Sequence, residues 1–129
     1  MFFSKTIFRS YEVEQASTLD GNIYLLQYGS YINELVKNEN VKKLNNYILY
    51  FRDNKYYVFV GASTYYENAL LLKKKLEEEG IFTYIKNDYV SDSELLKKIN
   101  QLDKEIIKNN NLLEEHNQKI LEILKEYYN

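Results

Sequence analysis

The stretch Tyr47-Ile48-Leu49-Tyr50-Phe51-Arg52-Asp53-Asn54-Lys55-Tyr56-Tyr57-Val58-Phe59-Val60-Gly61 decides the reading of the fold. Two runs rich in Tyr, Ile, Val and Phe flank a polar link from Arg52 to Lys55, the pattern of a β-hairpin. N-terminal to it, Ile23-Tyr24-Leu25-Leu26-Gln27-Tyr28 reads as a strand stopped by Gly29-Ser30. Ile32, Leu35, Val36, Val41 and Leu44 then recur at helical spacing, with an interruption near Asn38-Glu39-Asn40. C-terminal to the hairpin, Thr64-Tyr65-Tyr66-Glu67 reads as a capping box opening a helix from Tyr65 to Glu79. Its Tyr65, Ala69, Leu72 and Leu76 share one side, and Gly80 stands where a C-terminal cap belongs. Ile81-Phe82-Thr83-Tyr84-Ile85 reads as a fourth strand. The order is β-α-β-β-α-β, which predicts an α+β fold: a four-stranded antiparallel sheet with two helices on one face.

Beyond Ser91-Asp92-Ser93-Glu94, a helix start, the pattern is helical to the chain end. With Ile99, Ile106, Leu113, Ile120 and Tyr127 at heptad position a, position d holds Leu95, Leu102, Asn109, His116 and Ile123. That spacing predicts a long helix, either an oligomerising coiled coil seamed by Ile99, Leu102, Ile106, Leu113 and Ile120 or one packed back on the domain. At the other end, Ile7 to Val13 alternates partly, as an edge strand does, and Asp20-Gly21 is a turn signal. The chain therefore divides into an N-terminal segment (1–22), a sheet domain (23–90) and a helical segment (91–129).

Composition narrows the function. The 129 residues suit one domain, and 45% hydrophobic with 28% charged residues is the balance of a folded chain. The absence of Cys removes disulfides, zinc–thiolate sites and a thiol nucleophile, and one His leaves no basis for a His-based triad or a multi-His metal site. No two carboxylates can be placed as an acid–base pair, so the reading is non-enzymatic, with no cofactor. A net charge of -2 argues against a nucleic-acid partner. No apolar run approaches the roughly 20 residues of a membrane-spanning helix, and Met1-Phe2-Phe3-Ser4-Lys5 is not a signal peptide. Lys73-Lys74-Lys75, answered by Glu77-Glu78-Glu79, is a solvated helix face. His116 has no ligating partners in sequence and reads as structural.

About half of the chain, from Tyr24 to Ile85, resembles a SPOR domain, the sporulation-related repeat of bacterial cell-envelope proteins. Three features carry the resemblance. Tyr24-Leu25-Leu26-Gln27-Tyr28-Gly29-Ser30-Tyr31 is similar to the family's aromatic-x-x-Gln-x-Gly-Ser-aromatic opening. Tyr56-Tyr57-Val58-Phe59-Val60-Gly61 is similar to its third strand, and Glu67-Asn68-Ala69 through Leu72 and Leu76 to Gly80 to its second helix. The chain departs from the pattern in a shorter first helix, in Ala62 where Pro is usual, and in Tyr57 where many members carry Arg.

The resemblance implies a non-catalytic module of an envelope, division or sporulation protein that binds peptidoglycan glycan strands freed of their stem peptides. Strand alternation then points Leu26, Tyr28, Val58 and Val60 toward the helices and Leu25, Gln27, Tyr57 and Phe59 away, joined by Ile85. Rings that pack on pyranose faces around the Gln27 amide suit a sugar chain, and Ser30 adds a contact at the strand end. Tyr57 and Phe59 have a second reading, as a core covered by the C-terminal helix. An extracytoplasmic site requires an anchor or export signal outside this sequence; otherwise the chain is cytoplasmic. Two other functions compete: an assembly protein acting through the heptad helix, and an RNA-binding sheet, which shares the topology but lacks the basic-Gly-aromatic signature.

Overall fold

The computed structural model describes residues 21–128, so the strand read over Ile7 to Val13 lies outside the described residues. The elements are β1 (Asn22–Tyr31), α1 (Glu34–Val41), β2 (Ile48–Arg52), β3 (Lys55–Ser63), α2 (Tyr66–Glu78), β4 (Tyr84–Tyr89), α3 (Ser93–Lys108) and α4 (Leu113–Tyr128). The strands form one antiparallel sheet in the order β2-β3-β1-β4, the α+β arrangement expected from the element order. The hairpin turns on Asp53 (φ 54°) and Asn54 (φ 63°), between the paired Arg52 and Lys55. Two consecutive left-handed residues make the tight turn that matches strand twist, and Asp and Asn tolerate that conformation better than most.

Strand ends differ from the sequence reading. Glycine does not stop β1 or β3: β1 continues through Gly29 to Tyr31, and β3 through Gly61 to Ser63. A Cβ at Gly61 would run into the Leu72 side chain, so this glycine admits α2 close to the sheet. β4 begins at Tyr84 rather than Ile81 because leaving α2 takes the intervening residues. Gly80 (φ +84°) closes the helix as expected, with Gly80 N–H donating to Glu77 O at 3.0 Å and Ile81 N–H to Leu76 O at 2.9 Å. The capping box at Thr64 does not form. Tyr65 is the N-cap and makes no side-chain cap bond, while the Thr64 hydroxyl turns to α3.

The largest correction concerns the C-terminal segment. It is helical, but it breaks at Asn109 into an α3–α4 hairpin instead of running as one helix. Asn109 is extended (φ -149°, ψ 98°), and its side chain accepts from Asn111 N–H at 3.1 Å as a short 3-10 turn over Asn110–Leu112 begins. Asparagine side chains compete with helical backbone bonds, so the Asn109-Asn110-Asn111 run ends the helix. The hairpin folds back onto the sheet. Ile23, Leu25, Ile48, Phe59 and Ala62 share a core with Leu96, Ile99, Ile120, Leu121, Leu124 and Tyr128. On the other side Leu26 and Val60 pack with Ala69 and Leu72 of α2, and with Ile106 and Leu113 at the hairpin bend. Both faces of the sheet centre are therefore covered.

Candidate functional site

The covering of the sheet redraws the ligand face expected from the sequence. Leu25 and Phe59 are fully buried core residues under α3 and α4, so they are not contact residues. Ile85 sits opposite Leu26 and packs in the α2-side cluster, on the face away from Gln27. The helix reading of Tyr57 and Phe59 as covered core holds for Phe59, while Tyr57 is half-buried at its margin. Ser30 is exposed at the end of β1, directly opposite Tyr57.

Cross-strand pairing assembles what remains uncovered. Tyr50 of β2 lies opposite Tyr57 of β3, which lies opposite Ser30 of β1; in a separate row Gln27 lies between the buried Phe59 of β3 and Tyr84 of β4. Directly opposed residues share a face, so Tyr50, Tyr57, Ser30, Tyr84 and Lys86, the last opposite Leu25, lie on one face, with Gln27 buried among them. The Tyr50 and Tyr57 rings are 6.4 Å apart, and the Lys86 ammonium sits 4.8 Å from the Tyr57 ring centre. Since β1 runs between β3 and β4, that contact passes over the strand carrying Gln27. Arg52 Nη1 donates to Tyr50 Oη at 3.4 Å. Gln27 is 3% exposed, and among the described residues its Oε1 has no hydrogen-bond partner. A bulge explains its setting: pairing slips between Leu26 and Gln27 and again before Gly29, which turns this part of β1 out of regular register.

The border between the open and covered parts is Tyr128. Its ring meets Tyr50 edge-on at 4.9 Å and Phe59 at 5.8 Å, and its hydroxyl donates to Asp88 Oδ2 at 2.8 Å. Burial, with the Asp88 carboxylate second, pushes that hydroxyl far above its ordinary range, so it stays a donor.

Two polar clasps hold the hairpin in place, and the sequence reading missed both. Asp103 of α3 is completely buried; its carboxylate accepts from Ser63 Oγ (2.6 Å), Thr64 N–H (2.7 Å), Thr64 Oγ1 (2.5 Å) and Asn68 Nδ2 (3.1 Å). Burial pushes the Asp103 carboxyl above its ordinary range, and these donors pull it back only in part. Asn117 of α4 takes over where β2 ends: its Oδ1 accepts from Ala62 N–H at 3.4 Å and its Nδ2 donates to Val60 O at 3.1 Å. One amide thus satisfies the free edge of β3 as a neighbouring strand would. Both residues fall at heptad position e, the flank of the a/d pattern. That pattern therefore concealed them.

The proposed oligomer seam is used within the chain. Ile99, Ile106, Leu113 and Ile120 are buried, and Leu102 packs against the same core. His116 is buried too, with Nε2 2.6 Å from Glu105 Oε1 across the hairpin, and this contact holds the Glu105 carboxyl below its usual range. Among the described residues, no group of three His, Cys, Asp or Glu side chains is placed to hold a metal.

Comparison with family models, curated proteins and solved structures finds no match to this chain. The SPOR resemblance therefore rests on the motif residues and the topology alone. Among the described residues, no helix is long and apolar enough to cross a membrane.

Proposed function

We propose that this chain is a non-catalytic glycan-binding module, of the SPOR kind that takes peptidoglycan strands lacking stem peptides, and that it engages them at the uncovered end of its sheet. The observation that carries this reading is the cross-strand row of Tyr50, Tyr57 and Ser30, with the exposed Tyr84 ring on the same face of β4. Tyrosines offer flat apolar rings with hydrogen-bonding tips, which suits an extended sugar polymer better than a small molecule. Of the residues expected from sequence, Ser30 and Tyr57 stay in this site, Gln27 is buried beneath it, and Tyr50, Tyr84 and Lys86 join them.

The test is co-sedimentation with purified sacculi, untreated or stripped by an amidase. Tyr84 is 56% exposed, so Tyr84→Ala leaves the fold intact. With Tyr57→Ala it should lower affinity for stripped glycan about threefold to tenfold per ring. Equal retention of wild type and double variant on both preparations would sink the reading. A second reading has one observation in its favour: Lys86 over Tyr57 and Arg52 on Tyr50 put cations beside stacking rings, as single-stranded RNA binders do. RNA binding that falls steeply with salt, without glycan binding, would select it.

A further inference from the structure

Helix α1 turns large apolar side chains to solvent. Its buried side chains are Val41 and Lys37, the Lys37 ammonium lying 5.3 Å from the Tyr56 ring centre, while Leu35 is 76% exposed and Val36 49%. Ile32, just before the helix, is 75% exposed. The same end of the molecule carries Phe51, 56% exposed, whose ring lies 4.7 Å from that of Tyr56. Tyr56 in turn sits opposite Tyr31, the neighbour of Ile32. Four large apolar side chains, Ile32, Leu35, Val36 and Phe51, are thus exposed at the end of the molecule formed by the β1–α1 connection and the β2–β3 hairpin, which we call the tip.

The charge around the tip is uneven. Residues 31–43 and 50–56 hold five cations, Lys37, Lys42, Lys43, Arg52 and Lys55, against three carboxylates, whereas the whole chain is net -2. Two of those carboxylates are already answered, Glu39 by Lys42 at 2.9 Å and Asp53 by Arg52 at 3.9 Å. A tip with a positive excess repels a second copy of itself across a two-fold contact and attracts an anionic surface.

We propose that this tip docks on an anionic lipid surface, inserting Ile32, Leu35, Val36 and Phe51 at headgroup depth while Lys43 and Lys55 face the phosphates. The face is distinct from the tyrosine row, so the inference stands whether or not the glycan reading does. Apolar side chains flanked by cations are the composition that partitions into a membrane interface without spanning it.

The experiment is sedimentation of the full chain with vesicles of phosphatidylglycerol and phosphatidylcholine, against phosphatidylcholine alone. Wild type should bind the anionic vesicles and release as salt rises. Ile32→Asp with Leu35→Asp, both at exposed positions, should weaken binding by at least about tenfold. Lys43→Glu with Lys55→Glu should remove the preference for anionic lipid. Leu70→Asp, at a 44% exposed position on α2, is the matched control and should bind as wild type. Failure of wild type to bind anionic vesicles at low salt overturns the proposal. So does an equal loss in the Leu70 control, or a wild-type dimer that Leu35→Asp dissolves without lipid.

Discussion

Asp103 offers the most direct test of how the C-terminal hairpin is held. The carboxylate is wholly buried, faces no cation within bonding distance among the described residues, and accepts four hydrogen bonds from the β3–α2 corner. Asp103→Ala leaves the Thr64 N–H and two hydroxyls without their acceptor, while Asn68 Nδ2 keeps its 3.1 Å bond to the Asp103 backbone carbonyl. Orphaned buried donors cost about 1–3 kcal/mol each, offset partly because the desolvated charge disappears as well. The expected net loss is about 3–5 kcal/mol, or roughly 10–20 °C in Tm for a domain of this size. Asp103→Asn keeps the shape and one acceptor, and should cost about 1–2 kcal/mol at pH 7.

The two variants also separate charge from shape through pH. Burial raises the folded-state carboxyl above its ordinary 3.8, so the folded protein holds this proton more tightly than the unfolded chain does. Stability from this group therefore falls as pH rises through the window between 3.8 and the raised folded value, and is recovered on acidification. This is the reverse of a salt-bridged Asp. Urea unfolding from pH 4 to pH 7 should show wild type gaining on Asp103→Asn as the pH drops. A difference that stays flat with pH, or an Asp103→Ala loss below about 1 kcal/mol, would refute the account of the clasp.

Other substitutions test neighbouring parts of the architecture. Ile106→Asp places an unpaired charge in the core where α2 meets the hairpin bend, and should cost at least about 3 kcal/mol independently of protein concentration; a concentration-dependent loss would instead reinstate an interchain coiled coil. Asn117→Ala should leave Ala62 N–H and Val60 O unpaired. Its cost is about 1–3 kcal/mol, read as faster hydrogen exchange at the Ala62 amide than at Leu26. Gly61→Ala drives a methyl into Leu72 and should cost about 1–3 kcal/mol by thermal melting. Gly80→Ala meets no atoms within 4 Å and should cost about 1–2 kcal/mol, through its φ of +84° alone.

The legible parts of the fold were those written in local pattern. The Tyr47–Gly61 hairpin, Gly80 as a helix stop and Asp92 at a helix start all depend on neighbours within a few residues, and all three are present. The misread parts share a different cause. Thr64 and Glu67 have the spacing of a capping box, but a carboxylate 39 residues away in sequence claims the Thr64 hydroxyl and backbone N–H. The heptad count ran through Asn109-Asn110-Asn111 because a polar core position is legitimate in a coiled coil. Here the same asparagines supply the bend.

For the candidate site, alternation along β1 and β3 correctly separated Gln27 and Tyr57 from Leu26 and Val60. What alternation does not contain is what lies above a face. Leu25 and Phe59 alternate exactly as ligand contacts would, yet they are the floor of the second core.

Composition, periodicity and turn chemistry were thus enough to establish the α+β class, the strand order along the chain and the two sides of β1 and β3, though not the side of β4 on which Ile85 lies. These follow from backbone geometry, which repeats every few residues and is set locally. Tertiary structure alone decided which of those sides met solvent, because that depends on the α3–α4 hairpin reaching back to residues far away in sequence. A face is apolar in sequence whether a ligand or a helix covers it. Only the packed chain assigned the centre of this one to helices, Tyr50 and Tyr57 to the margin of that core, and Tyr84 to the surface.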